Sequence, residues 1–256
     1  MKSVRAKKSL GQHFLNDEGI ARDIVDALQT PNAHVLEIGP GMGVLTQFLM
    51  EKRDIDFKVV ELDRESVEYL RQRFPSLVPH IIPADFLKLD LAEMYTSPVS
   101  IIGNFPYNIS SQILFKILEN KDLVTESVGM FQKEVAERIA SAPGKKMYGI
   151  LSVLLQAFFD IDYLFTVHEH SFNPPPKVKS AVIRLRRNPD KHLNCDETLF
   201  KMVVKTAFNQ RRKTLRNSLK TLQFPEGFLA DEIFAKRPEQ LSVADFERIC
   251  QHLVQM

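Results

Sequence analysis

The chain has no tryptophan and only two cysteines, Cys195 and Cys250, among 256 residues. Far apart and without a Cys-x-x-Cys neighbour, these thiols argue against both a disulfide framework and a zinc site, and read as small apolar side chains. No run approaches the roughly 20 apolar residues of a membrane helix. The start, Met1-Lys2-Ser3-Val4-Arg5-Ala6-Lys7-Lys8, lacks the apolar centre of a signal peptide. The expectation is a soluble cytoplasmic protein with no membrane partner. Internal repeats and low-complexity tracts are absent as well. Nothing calls for an obligate dimer, so a monomer is expected. Charge of one sign is not in excess overall, with 34 Lys/Arg against 32 Asp/Glu and a net +2.

That balance conceals a strong asymmetry. Between Lys177 and Lys220 there are 13 Lys/Arg and three acids (Asp190, Asp196, Glu197), a net +10, which leaves −8 on the remainder. One face is thereby suited to a polyanion. Within this segment Lys201, Lys205, Arg212 and Arg216 recur at helical spacing and are expected to form one basic stripe; a solvated helix face has the same pattern.

Short β-rich apolar runs, Ala33 to Ile38, Phe57 to Leu62, His80 to Ile82, Val99 to Ile102 and Val128 to Phe131, alternate with amphipathic stretches such as Leu45 to Glu51 and Glu65 to Arg73. This alternation predicts an α/β fold with a parallel, doubly wound sheet. Phe158 to Val167 and Ser180 to Arg186, joined through Asn173-Pro174-Pro175-Pro176, read as an antiparallel pair closing a sheet edge. After Arg187-Asn188-Pro189 the strand signal stops and helical patterns dominate, so the sequence divides into an α/β domain over 1–187 and a small helical domain over 188–256.

Val35-Leu36-Glu37-Ile38-Gly39-Pro40-Gly41-Met42-Gly43 is a strand running into a glycine-rich turn that opens a helix. Such glycines let the backbone approach a ligand and present amides at a helix start. The spacing is Gly-x-Gly-x-Gly instead of the dinucleotide Gly-x-Gly-x-x-Gly, and Glu61 ends the next strand, placed to grip ribose hydroxyls. Asp85, in Ala84-Asp85-Phe86 after the third strand, can accept from an adenine amine. Taken singly, each acid could be a helix cap or a solvated carboxylate. In this order, at successive strand ends, they fit an adenosine ligand without a pyrophosphate, and S-adenosylmethionine best. The two histidines of His168-Glu169-His170 lack metal-helix spacing, and no metal is expected.

Asn104-Phe105-Pro106-Tyr107 puts an amide, a rigid turn and an aromatic ring at the end of an apolar strand. An aromatic exocyclic amine is a poor nucleophile because its lone pair is delocalised. An enzyme that alkylates it must accept its hydrogens and clamp its flat faces, which Asn104 and Tyr107 can do while Pro106 fixes φ. An ordinary strand-to-helix turn uses the same residues.

With Gln12-His13-Phe14-Leu15, Glu37-Ile38-Gly39-Pro40-Gly41, Glu61-Leu62-Asp63, Asn104-Phe105-Pro106-Tyr107-Asn108-Ile109-Ser110, Phe172-Asn173-Pro174-Pro175-Pro176-Lys177-Val178-Lys179-Ser180 and the basic segment Thr206 to Leu215, the chain resembles the bacterial small-subunit ribosomal RNA adenine dimethyltransferases from about residue 8 onward. The resemblance implies a Rossmann-like, seven-stranded S-adenosylmethionine-dependent methyltransferase domain followed by an all-helical RNA-binding domain. It implies cofactor contacts by His13, Leu15, Gly39, Glu61, Asp85 and Asn104, although the family often has Asn at the position of His13. It also implies a target adenine held between Tyr107 and Phe172. The +10 segment, joined to a base-methylating site, is read as contacting the phosphates of structured RNA, with Arg211, Arg212 and Lys213 as the candidates together with the tail Lys2, Arg5, Lys7 and Lys8. The expected partner is small-subunit ribosomal RNA in a pre-30S particle. Two other functions are compatible with these motifs: a large-subunit ribosomal RNA methyltransferase conferring antibiotic resistance, and a non-catalytic ribosome-assembly factor.

Overall fold

The computed structural model describes residues 4–29 and 34–254. Among these described residues are nine strands: β1 Phe14–Leu15, β2 His34–Ile38, β3 Asp56–Val60, β4 Ile81–Ile82, β5 Val99–Asn104, β6 Val124–Gln132, β7 Phe159–Val167, β8 Phe172–Asn173 and β9 Ser180–Arg187. Seven form one sheet in the order β4-β3-β2-β5-β6-β9-β7, in which β4, β3, β2, β5 and β6 pair in parallel and β9 is antiparallel to β6. The expected doubly wound sheet and its edge pair are both present. The reversal of winding between β2 and β5 opens a crevice at the carboxyl ends of those strands.

The central strands are mostly apolar because helices cover both faces of a parallel sheet. Val35, Leu36, Ile38, Val59, Val60, Val99, Ile101 and Ile102 are all buried. Helices pack against them by burying one stripe. In Glu18–Asp26 the stripe is Ala21, Ile24 and Val25, and the Asp17 side chain caps the first turn by accepting from Ile20 N at 3.1 Å. In Arg64–Arg73 it is Ser66, Val67 and Leu70, with Asp63 as the cap. The expected helix over Leu45 to Glu51 is shorter, Thr46–Leu49.

The chain separates into two compact units. One comprises the described residues up to Ala136 together with Ile161–Arg187; the other comprises Glu137–Asp160 and the described residues from Asn188 onward. The expected junction after Arg187 is one of the boundaries, but the helical unit also takes in 137–160, which the linear division had left with the sheet. The reason is an apolar helix, Ile150–Gln156, with Leu151, Val153, Leu154 and Leu155 buried. Within this unit it packs beside helix Glu197–Asn209, which is capped by Asp196 and buries Phe200, Val203, Val204, Ala207 and Phe208. The last helix, Val243–Gln251, closes the same core with Phe246, Ile249 and Cys250, started by a reciprocal Ser242–Asp245 cap.

A two-stranded sheet absent from the sequence reading joins β1 to β8, with Leu15 opposite Phe172 and Phe14 opposite Asn173. Two-residue strands carry no periodicity, so only the fold reveals that the Gln12-His13-Phe14-Leu15 motif and the Phe172 loop meet. Among the described residues, no helix is long and apolar enough to cross a membrane.

Candidate active site

The carboxyl ends of β2, β3, β4 and β5 converge on an open cleft of about 160 Å³. Its lining includes Gly39 and Gly41 after β2, Glu61 and Leu62 after β3, Ala84-Asp85-Phe86 after β4, Asn104 to Ile109 at the end of β5, and Leu10 to Phe14 from the N-terminal segment. A smaller cavity shares Phe14, Gly39, Gly41 and Asn104 with it and adds Leu15, Glu37 and Pro40. His13, Gly39, Glu61, Asp85 and Asn104 therefore line the main cleft, and Leu15 lines the adjoining cavity.

Gly39 and Gly41 have φ of 64° and 57°. Side chains rarely adopt this left-handed region, and a Cβ on Gly41 would also lie 2.9 Å from the Phe14 ring. Glu61, 5% exposed, follows β3 directly. It accepts from Gly41 N at 3.1 Å through Oε2 and from Asp63 N at 2.8 Å through Oε1. Burial raises its carboxyl pKa, against the pull of these backbone donors. Each oxygen retains a lone pair, so the carboxylate is fixed in place and can still accept from a ligand's hydroxyls.

Asp85 is both a cap and a cleft residue. Its Oδ1 accepts from Leu87 N at 3.0 Å, and the Lys116 ammonium steadies the turn by donating to the carbonyls of Leu87 and Leu89. The residue after Glu61 was not singled out from sequence. Leu62 is 54% exposed in the cleft wall, an apolar surface beside Glu61. Beneath the glycine turn Glu37 is almost wholly buried and accepts from Thr46 Oγ1 at 2.7 Å. Burial, with a smaller contribution from the charge of Glu61, pushes its pKa up to about 8 despite the Thr46 hydrogen bond.

The Asn104 amide is oriented by its partner. Nδ2 donates to the backbone carbonyl of His13 at 2.9 Å, which leaves Oδ1 as the group that can accept from a ligand. Phe105 anchors the turn, 1% exposed and edge-on to Phe131 with centroids 5.1 Å apart. Pro106 faces Gly39 across the cleft mouth, and its carbonyl accepts from Ile109 N at 3.2 Å. The Tyr107 hydroxyl lies 2.5 Å from Ser180 Oγ, and burial raises its pKa, so it remains a neutral phenol.

Two expectations change here. Phe172 does not line the cleft: it is 3% exposed and packs with Leu15, Val128, Met130 and Val182 in the core, because its pairing with Leu15 turns both side chains inward. The ring against Tyr107 is that of His13, with centroids 5.4 Å apart and an interplanar angle of 28°, held by a 2.8 Å contact between its Nδ1 and Pro174 O. Lys7, assigned to a basic tail, is engaged by Asp63 at 2.5 Å and Glu65 at 3.0 Å. Arg5 and Lys8 are exposed, and Lys2 lies outside the described residues.

The helical unit carries the other basic residues. The stripe expected from Lys201 to Arg216 is broken: helix Glu197–Asn209 ends before Arg212, and Arg216 lies on a separate helix, Leu215–Ser218. Gln210 at φ −121°, ψ 50° and the extended Thr214 turn the chain between them. Arg212 and Lys213 are exposed on this turn, while Arg211 donates to the Lys146 carbonyl and lies 3.9 Å from Glu239. That contact brings the exposed Lys145 and Lys146, not selected from sequence, beside the Arg211–Lys213 turn.

The sheet order, the glycine turn after β2 and the acids after β3 and β4 define a Rossmann-like methyltransferase fold with an open cleft at the carboxyl ends of its strands. The particular family follows from comparison. Residues 3–254 match the model of the ribosomal RNA adenine dimethylase family. The chain is 62% identical over 249 residues to ribosomal RNA small subunit methyltransferase A of Bacteroides thetaiotaomicron, covering 96% of this chain and 93% of that protein, and 57% identical to the protein of the same name from Porphyromonas gingivalis, covering 96% of each. Among solved structures it resembles a dimethyladenosine transferase from Plasmodium falciparum, with a TM-score of 0.76 and 25% identity over 91% of this chain and 94% of that one. It also resembles the 23S rRNA methyltransferase ErmE, with a TM-score of 0.70 and 25% identity over 93% and 99%. The chain belongs to the ribosomal RNA adenine dimethylase family and is an S-adenosylmethionine-dependent rRNA adenine dimethyltransferase.

Proposed function

We propose that this protein methylates the exocyclic amines of two adjacent adenosines near the 3′ end of small-subunit ribosomal RNA, twice each, within a cytoplasmic pre-30S particle and as a monomer. The observation that carries the reading is the Asn104 amide: its NH₂ is committed to His13 O, so its carbonyl is the cleft-facing acceptor for an amine hydrogen. S-adenosylmethionine, when bound, would supply a methyl on a sulfonium, with the neutral thioether as leaving group and one amine proton released to solvent per transfer. The residues present fit it: Glu61 for the ribose, Asp85 and Leu62 for the base, and Gly39, Gly41 and Leu15 for the remainder.

The chain's own part is positioning and desolvation. Asn104 Oδ1 and the Phe105 carbonyl accept the amine hydrogens and direct the nitrogen lone pair along the transfer line; Phe105 is preferred over Pro106 because the Pro106 carbonyl already accepts from Ile109 N. Tyr107 offers its ring to the splayed base while Ser180 holds its hydroxyl. Because Phe172 is buried, the opposite face of the base is assigned to His13 or to a ring that turns out as the base enters. Arg212 and Lys213, with Lys145 and Lys146 alongside, supply phosphate contacts.

The test is transfer of labelled methyl groups to small subunits lacking adenine methylation, with free large-subunit RNA in parallel, followed by nucleoside analysis. Dimethyladenosine in the small-subunit sample alone is expected. Label only in large-subunit RNA would favour the ErmE-like activity, and binding without transfer an assembly factor.

A further inference from the structure

Lys7, Gln12 and Asp63 form a junction beside the cleft, in which Gln12 and Asp63 belong to the Gln12-His13-Phe14-Leu15 and Glu61-Leu62-Asp63 motifs but carry none of the cofactor or catalytic roles. Lys7 Nζ bonds Asp63 Oδ1 at 2.5 Å and Glu65 at 3.0 Å; Gln12 Nε2 donates to Asp63 Oδ2 at 3.3 Å, and Gln12 Oε1 accepts from Lys7 N at 2.8 Å. The Asp63 side chain is 2% exposed, and its carboxyl pKa is lowered, the donors from Lys7 and Gln12 outweighing burial. Asp63 N in turn donates to Glu61 Oε1. Between Lys7 and Gln12 the chain makes a tight turn, Lys8–Leu10 closed by Gly11 at φ 63°, and Leu10 to His13 form one wall of the cleft. Gly11 is packed so closely that a Cβ would lie 2.5 Å from Asn108 Oδ1.

We infer that Lys7 and Gln12, acting through Asp63, are positioning residues that hold the 8–13 segment as the closed wall of the cleft and thereby set cofactor affinity. The inference rests on the reading of the cleft as the cofactor site. The chemistry is specific: an ammonium and an amide grip both oxygens of a carboxylate whose own backbone amide orients the ribose acid, so the wall and Glu61 are fixed by one residue. If the wall were docked only part of the time, apparent affinity would fall by that fraction.

The experiment compares Lys7→Ala and Lys7→Arg enzymes with the unaltered one. Asp63 is left intact because it also caps helix Arg64–Arg73. Cofactor dissociation constants are measured by calorimetry without RNA, and hydrogen exchange is followed at Leu10, Gly11 and Gln12, whose amides bond back to Lys7 and Lys8 carbonyls. Lys7→Ala is expected to weaken cofactor binding roughly 3- to 10-fold, to act on the cofactor KM instead of kcat, and to speed exchange at 10–12. Asn16, whose amide bonds Ser171 O, should keep its exchange rate, and Lys7→Arg should restore all three readouts. Faster exchange with unchanged affinity, or a loss confined to the RNA KM, would overturn the assignment. A Glu61→Ala enzyme run in parallel separates the two readings: if it too binds the cofactor normally, the placement of the cofactor in this cleft fails, and not merely the role of Lys7.

Discussion

Asn104 illustrates how one hydrogen bond fixes the chemistry available to a side chain. An amide free to flip would offer its carbonyl and its NH₂ equally; the His13 carbonyl accepts only from the NH₂ and so sets the acceptor toward the cleft. Asn104→Ala is expected to lower kcat about 10²- to 10³-fold, the range seen when one polar group is removed from a preorganised site, with cofactor affinity measured alongside to separate its two proposed contacts. Glu37 makes a different residue-scale prediction. Its folded pKa of about 8 lies above the ordinary 4.5, so the unfolded chain ionises first as pH rises, and the group's contribution to stability falls between about pH 4.5 and 8. Glu37→Gln cannot ionise. The Tm difference between this variant and the parent should therefore grow in the variant's favour from pH 5 to 8 and level off above that; a difference independent of pH would mean that Glu37 is ionised in the fold.

At the scale of elements, the β5–β6 pair shows why the Asn104–Tyr107 turn stands where it does. Gly103 and Gly129 lie directly opposite each other in the parallel ladder, and the Phe105 ring fills the space their missing side chains leave. A Cβ on Gly129 would lie 2.2 Å from Phe105 Cε2, too close for either to remain. Gly129→Ala should cost about 1–3 kcal/mol of stability, as overpacking a filled core typically does, seen as a lowered Tm. Because Asn104 precedes Phe105, kcat should fall with it. A variant equally stable and fully active would show that the turn tolerates a displaced Phe105. The β1–β8 pair has the complementary lesson: four residues place His13 beside Tyr107 and draw Phe172 into the core.

Across the whole molecule, charge is segregated along the chain, +10 between Lys177 and Lys220 against −8 elsewhere. The helical unit exposes part of that charge on the turn after helix Glu197–Asn209 and adds Lys145 and Lys146 from its segment Glu137–Asp160. Reversing Arg212 and Lys213 to Glu, with Arg211 retained because of its contacts to Lys146 and Glu239, should weaken small-subunit RNA binding. The slope of log affinity against log salt should become shallower by about two, while calorimetric cofactor affinity stays unchanged. An unaltered slope would remove these residues from the RNA contact.

The sequence alone determined what periodicity and strand order encode: a doubly wound sheet, since βαβ alternation is local, and the meeting of Gly39, Glu61, Asp85 and Asn104 at one cleft, since each lies at or just after the end of a legible strand and parallel winding brings those ends together. Tertiary structure alone decided the rest. Residues 137–160 joined the helical unit because their apolar helix finds its partner in residues far along the chain. The basic stripe broke because the helix ends at Asn209 and Gln210 leaves the helical region before Arg212 is reached. Phe172 turned inward, and Lys7 turned to Asp63, through pairings across long sequence separations that no window of neighbouring residues contains.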